Sequence, residues 1–558
     1  MRHTGPSLSA ILALALGLSS CQPQTGISST DARDAIACIE PDAIRAHIRF
    51  LSDDLLEGRE AGTRGFQLAA KYVASTFETM GLEPAGIDGT YFQNVPLRSS
   101  TLDFEQSSLT LIRDGWEKRI QIGEDYLLSA DFQRESVRVR APLVFVGFGI
   151  TAPELNHDDY AGLEVTGKIA VMVSGAPATF PNSQRAYYSG RSKGENAVAH
   201  GVLGILTILS PADAERIPWA AVAARATTPS MRWIDPSGRP SEFWPEIRGR
   251  GLLGQEIAEE IFSHAPTPLA ELFSGADDET PHGFDIPIEV EIVTVSRLGE
   301  IQSPNVIAKL EGTDPELRDE YLVYSAHLDH DGIMESMDGD NIFNGAYDNA
   351  AGTAVLLELA RAFKCLPEPP KRSVLFLGTT AEEKGLLGAD YFVHHPTVPR
   401  ESMVANLNVD NPLMLCPIRD IVVFGAEHSS LGETFQQAAD HLDLSISPDP
   451  MPEEVIFVRS DQFPFVRQGI PAAYAIVGFE SGDPQIDGAA ATMTWLTTVY
   501  HTPKDDFGQE MDFQTGATYA RVNFLAGYLV AQSGERPTWN EGDFFGTRFA
   551  GQEEASVK

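Results

Sequence analysis

The chain has 558 residues, more than one hydrophobic core normally organises, so two or more domains are expected. Its 43% hydrophobic and 22% charged residues are an ordinary globular composition, which excludes a disordered chain, and no second long apolar run follows the N-terminus to span a bilayer. With 41 basic against 79 acidic residues the net charge is −38, which repels phosphate backbones and anionic headgroups, so nucleic acid is not expected as a partner.

Residues 1–21 have the layout of an export signal: Arg2, an apolar stretch over 8–18, then small residues running into a cysteine. Leu18-Ser19-Ser20-Cys21 resembles a bacterial lipobox, whose cleavage leaves Cys21 as a lipidated N-terminus. The chain is therefore expected to be exported and held to the cell envelope by that lipid alone. Gln22, with no Asp in its place, points to the outer membrane or periplasm in a Gram-negative cell; a plain secretory signal with an incidental cysteine is the alternative. Cys38, Cys365 and Cys416 remain, and three thiols cannot all pair within one chain. Buried thiols are the expectation, with a Cys365–Cys416 bridge as the alternative.

Leu51, Leu55, Ala69, Tyr72, Val73, Phe77 and Met80 recur at helical spacing, so 41–86 reads as helical, with Gly81 as a stop. From 101 to 146 short runs rich in Val, Ile and Leu predict strands, and 167–173 is another. The stretch 196–206 reads as a helix end, a glycine turn and a further strand. A segment rich in Pro, Gly and Asp over 274–287 marks a boundary, after which strands and helices alternate. The middle of the chain resembles a protease-associated domain through Val146-Gly147-Phe148-Gly149-Ile150, His157-Asp158-Asp159-Tyr160, Gly167-Lys168-Ile169 and Ala199-His200-Gly201-Val202. That resemblance implies a small β-rich insertion over 126–285 that shapes its host's site and has no chemistry of its own. No internal repeat or low-complexity tract is present.

Metal-binding side chains are spread through the C-terminal half, each beside an apolar run. Tyr321-Leu322-Val323-Tyr324-Ser325-Ala326 is a short strand, which puts His327 and Asp329 at its C-terminal end, where open α/β sheets place their sites. His327 is a candidate ligand and Asp329 a candidate to orient it or a neighbouring ligand. Asp348, in Asn344-Gly345-Ala346-Tyr347-Asp348-Asn349-Ala350-Ala351-Gly352, opens an apolar helix over 353–363. A helix cap is its plain explanation, but the small residues around it also leave room for two metals bridged by one carboxylate. The strand 373–378 leads into Glu382-Glu383, where one carboxylate can bind metal while the other takes a proton from water; Glu382 is the candidate base and Glu383 the ligand. Asp410 ends the apolar run 403–409, and His501 follows Thr497-Thr498-Val499-Tyr500. Five ligands and a base are what a hydrolytic zinc pair requires.

In order and context these stretches, with Ser460-Asp461-Gln462-Phe463-Pro464-Phe465, Tyr500-His501-Thr502-Pro503 and Leu51-Ser52-Asp53-Asp54-Leu55-Leu56-Glu57-Gly58-Arg59, resemble the zinc aminopeptidase family of two-metal exopeptidases. The resemblance implies an α/β fold with a mixed, mostly parallel sheet flanked by helices: 22–125 as the first part of the peptidase domain, the β-rich insertion, 286–540 as the catalytic domain and 541–558 as a tail. It implies two zinc ions per chain, one on His327 and Asp410 and the other on Glu383 and His501, with Asp348 bridging, Glu382 as base and Asp329 in support. Peptides are the implied substrates. The acidic loop 335–340 is a candidate to hold an ammonium group, with a solvated loop as its plain explanation; no arginine cluster stands near the motifs to take a substrate carboxylate, so an aminopeptidase is expected. A carboxypeptidase or dipeptidase of the same family, a glutaminyl-cyclase-like enzyme with one zinc and a receptor-like binding protein with none are the alternatives.

Overall fold

The structure is a computed structural model and describes residue 1 and residues 30–216, 218–274, 282–334 and 339–551. The expected export signal with Cys21, and residues 335–338 of the acidic loop, lie outside the described residues. Among the described residues no helix is long and apolar enough to cross a membrane.

The N-terminal helical stretch is broken. Pro41–Leu51 starts on a proline and buries Ile44, Ile48 and Leu51, and Arg64–Thr79 is capped by the Thr63 hydroxyl and buries Phe66, Ala69, Val73 and Phe77. Between them the chain makes a tight turn, Asp54–Arg59, in which Glu57, Gly58 and Arg59 all have positive φ. Gly58 is required there: a Cβ would lie 2.5 Å from the Gly332 carbonyl and 2.6 Å from that of Phe343. The helical expectation over 41–86 fails at this turn because the backbone is pressed against a distant loop, a contact that periodicity cannot register.

The main sheet is mixed, with parallel strands at its centre. Tyr321–His327 lies between Ser373–Thr379 and Met403–Asn408, parallel to both, and Ala472–Val477 extends the parallel set beyond Met403–Asn408. The central strands are buried on both faces, as a sheet covered by helices must be. Antiparallel strands flank this centre: Asp420–Phe424 on one side, and on the other Phe284–Leu310, Phe92–Leu102 and Ser230–Trp233. Helices Gly352–Cys365 and Phe513–Gln532 and the N-terminal helices share one apolar core with this sheet. In register His327 faces Thr379, so the strand ends that carry the candidate ligands line up along one edge.

A second β-rich layer occupies the middle of the chain. Ser136–Phe145, Ile169–Val173, Gly204–Ile208 and Arg250–Leu253 run parallel in that order, around a core of their own with Leu109, Leu111, Ile257 and Phe262. The 27-residue strand Phe284–Leu310 belongs to both layers: its first half pairs with Ser136–Phe145 and Ser108–Arg113, its second half with Phe92–Leu102 and Ser373–Thr379. The layer thus includes Ser108–Arg113 and shares the strand Phe284–Leu310 with the main sheet.

The cysteines differ from expectation. Cys38 and Cys365 form a disulfide across a separation of 327 residues, with Cα atoms 6.6 Å apart, and Cys416 is the buried free thiol. The bridge ties the N-terminal helical segment to the end of Gly352–Cys365, and neither expected arrangement paired Cys38. Protein lacking residues 1–21, denatured without reductant, should therefore react with one equivalent of a thiol reagent, and with three after reduction; three equivalents without reductant would rule out the bridge.

Candidate active site

The aligned strand ends gather His327, Asp348, Glu383, Asp410 and His501 into one cluster, in which His327, Asp348 and Asp410 are buried and Glu383 and His501 half-buried. His327 Nε2 lies 3.1 Å from Asp410 Oδ1 and 3.2 Å from Asp348 Oδ1. On the other side His501 Nε2 lies 3.1 Å from Asp348 Oδ2 and 3.5 Å from Glu383 Oε2. Asp348 therefore presents one oxygen to each histidine. These separations suit metal ligands, because zinc bonds of about 2.0–2.1 Å in a tetrahedron hold the ligand atoms about 3.3–3.4 Å apart. Two groups of side chains have donor atoms all within 4.8 Å of one another, His327 with Asp348 and Glu383, and Asp331 with Glu383 and His501. Imidazole and carboxylate donors together are a set that zinc accepts.

Local structure explains how the ligands are held. Asp348 sits in a turn that Asp505 fixes by accepting from the backbone N–H of Tyr347 at 2.9 Å and of Asp348 at 3.0 Å. Gly345, φ 57°, precedes it, and a Cβ there would lie 2.0 Å from the Asp348 carbonyl and 2.7 Å from the His330 ring. The Asp410 carboxylate accepts from the Ser460 hydroxyl at 2.6 Å, while Tyr474 donates to the Asp410 carbonyl.

Of the two places expected for Asp329, beside His327 or beside a neighbouring candidate ligand, its carboxylate takes the second. Its carboxylate accepts from the backbone N–H groups of Glu382 and Glu383 at 3.0 and 3.3 Å. It is the main-chain carbonyl of Asp329 that faces His327 Nδ1, at 3.1 Å. The side chain thus braces the loop that carries the two glutamates. No hydrogen bond from a described group reaches the Glu382 carboxyl.

Electrostatics follow from burial. Burial holds Glu382 well above the usual carboxylate range, although His327 opposes it. Burial likewise pushes Asp329 up to about 6, Asp505 to about 6 and Asp461 to about 7. For His327 burial works against a charge, yet Asp410, Glu382 and Asp348 outweigh it and raise the pKa well above the ordinary value. His501 is raised to about 9 by Glu383 and Asp348, again against burial. Burial also opposes charge on Asp348, but His327 and His501 hold it well below the usual range. Carboxylates outnumber imidazoles, and the surplus is a demand for cations.

Several participants escaped the sequence reading. His330 is buried with Nδ1 2.7 Å from Glu383 Oε1, and Asp331 Oδ2 lies 3.6 Å from His501 Nδ1. Both directly follow the His-x-Asp pattern, and reading on through His330-Asp331 would have found them. Asp461, which accepts from the Thr379 hydroxyl, and Asp505 carried no local signal as site residues. Neither did Arg59, fully buried below the ligands, whose guanidinium donates to the carbonyls of Leu328, Leu51, Asn344 and Gly345. Burial lowers its pKa to about 10, opposed by Asp505 and Asp329.

Residues 305–524, which contain the whole cluster, match the model of peptidase family M28. Aminopeptidase NAALADL1 of Mus musculus is 26% identical over 312 residues, covering 47% of this chain and 38% of its own length. Aminopeptidase YwaD of Bacillus subtilis strain 168 is 28% identical over 193 residues, covering 32% of this chain and 38% of its own. The chain thus spans well under half the length of these curated relatives. In fold it is similar to the aminopeptidase from Aneurinibacillus sp. strain AM-1, with a TM-score of 0.53 and 19% identity over 90% of this chain and 97% of that one.

Arg59 supplies a direct test of how the site is built. Arg59→Met leaves the carbonyls beneath the cluster without donors and should destabilise the fold by roughly 3–5 kcal/mol, the range for uncovering a buried charged network. Denaturant unfolding measures it; a loss of under about 1 kcal/mol would mean that the guanidinium is not what holds these loops.

Proposed function

We propose, from the assignment of residues 305–524 to peptidase family M28, that this chain is a zinc-dependent exopeptidase that removes N-terminal residues from peptides. The observation that carries the reading is Asp348 between His327 and His501, one oxygen toward each ring, in a site with more buried carboxylates than cations. His327 and Asp410 would hold one zinc ion, Glu383 and His501 the other, and Asp348 would join them. Asp331 is a further candidate ligand beside His501. When bound, two zinc ions supply an acidified water and polarise the scissile carbonyl.

The protein's own groups do the rest. Glu382 has its carboxyl unengaged by described donors and resists ionisation through burial, which suits it to take a proton from the attacking water and return it to the leaving amine. Asp329 grips the Glu382 and Glu383 N–H groups, so base and ligand keep a fixed separation.

The aminopeptidase reading draws on the names of the relatives and on the commitment of Arg59 to backbone carbonyls, which leaves its guanidinium unavailable to a substrate carboxylate. The second β-rich layer fits an inserted protease-associated domain that shapes the site, since Arg191 from that layer donates to the Gly385 carbonyl at 3.1 Å, at the end of the Glu382-Glu383 loop. Export with a lipid on Cys21 completes the proposal: an envelope enzyme acting on peptides.

Hydrolysis of free and N-acetylated dipeptides and aminoacyl amides tests this. Cleavage confined to substrates with a free N-terminus, abolished by chelator and restored by zinc, is expected; cleavage of the acetylated dipeptides would move the activity to a carboxypeptidase. Glu382→Gln should retain zinc while losing roughly 100-fold or more in kcat. A variant with full metal and full activity would remove Glu382 from the mechanism.

A further inference from the structure

A cavity of about 400 Å³ lies within the second β-rich layer, walled by segments 129–132, 172–175, 189–194 and 242–250, and none of the candidate metal ligands lines it. That volume is in the range of small-molecule sites. Lys193, Arg232 and Arg250 line it, together with Arg191 and Arg248. The buried Lys193 ammonium donates to the Val173 carbonyl at 2.8 Å, and Arg232 donates to the Met231 carbonyl at 2.6 Å while lying 4.9 Å from the Phe132 ring centre. Arg250 lies 5.0 Å from the Trp244 ring centre, and its Nη2 is buried with no hydrogen-bond partner.

The acids on the same wall are already engaged. Asp131 is paired with Arg134 at 2.6 Å and Glu242 with Arg191 at 2.6 Å. Lys193, Arg232 and Arg250 therefore stand as a local cationic excess inside a chain of net charge −38. Unpaired charge out of water is costly, and a buried N–H without an acceptor calls for an explanation. Burial alone draws the Lys193 pKa down to about 7, with Asp159 and Asp213 opposing. Gly194 makes the arrangement possible: a Cβ there would lie 2.9 Å from the Trp244 ring and 3.1 Å from Arg250 Nη2.

We propose that this cavity binds a small organic anion, its carboxylate or phosphate group meeting Lys193, Arg232 and Arg250 and its body packing on Phe132, Phe243 and Trp244. Guanidinium groups match both oxyanions through paired N–H donors, and the aromatic rings favour a ligand with an apolar part over a bare ion. The inference is independent of the peptidase reading, because binding is measured without hydrolysis.

Calorimetry on the mature full-length chain with inorganic phosphate, phenyl phosphate and phenylacetate tests it, with tryptophan fluorescence reporting on Trp244. At least one aromatic probe should bind at one site per chain with a Kd of about 1 mM or tighter. Phenyl phosphate ahead of phenylacetate would identify a phosphate ligand, and the reverse order a carboxylate. Arg250→Gln and Arg232→Gln, each checked for native circular dichroism, should weaken binding by roughly tenfold or more. Should one variant fail to fold, the other and Lys193→Met give the same reading. No saturable binding by any probe, or binding of equal strength in the folded variants, as an anion held at the candidate metal ligands would give, overturns the proposal.

Discussion

The structure depends on one electrostatic constraint: acidic side chains gathered in a nearly dry place. Buried Asp329, Asp348, Asp410, Asp461 and Asp505 and half-buried Glu382 and Glu383 converge where three parallel strands end, and His327, His330 and His501 balance only part of their charge. Carboxylates that close would repel one another and take up protons unless cations, N–H donors or both are supplied. The fold supplies donors for some of them. Backbone N–H groups serve Asp329 and Asp505, hydroxyls serve Asp410 and Asp461, and Arg59 lies beneath, its charge spread over four carbonyls. What remains unbalanced are the atoms facing one another across Asp348, and these are spaced as metal ligands are.

The scaffold makes that crowding tolerable by keeping the ligands on rigid supports. His327 is the last residue of a strand buried on both faces, and the loops carrying Glu382, Glu383 and Asp410 leave neighbouring strands in register with it. The helix after Asp348 is packed into the main core almost over its full length, and the disulfide pins its far end to the N-terminal helices. The strand Phe284–Leu310, shared by both layers, fixes the second layer to the main sheet, and the Arg191 contact with Gly385 brings it onto the loop that holds the candidate base.

The parts legible in the sequence were those whose signal is local. Apolar runs marked the central strands within a residue or so, and the polar residues singled out at their ends, the five candidate ligands and Glu382, lie in one place in the fold. The 196–206 stretch emerged as read, a helix ending at Ala199, a turn at Gly201 with φ 76° and a strand from Gly204. What stayed hidden depends on contacts between distant residues. Nothing near Cys38 announces Cys365, and nothing in Gly58-Arg59 shows that the turn lies against Gly332 and feeds a cation under the ligands. Asp505 looks like any surface acid until the fold sets it below Asp348. The passage of Phe284–Leu310 from one sheet to the other is hidden for a related reason: a strand that pairs with two sheets has no composition change at the point where it passes between them. His330 and Asp331 were within reach, directly past a pattern read as complete.

The central claim is that the surplus of carboxylates is matched by two divalent cations sharing Asp348. Counting bound zinc on the mature protein by elemental analysis after zinc loading and exhaustive dialysis, beside Asp348→Asn treated identically, tests it most directly. The account predicts two zinc ions per chain in the native protein and a clear loss from the variant. A single ion or none in the native protein, or a variant that keeps both, would contradict it.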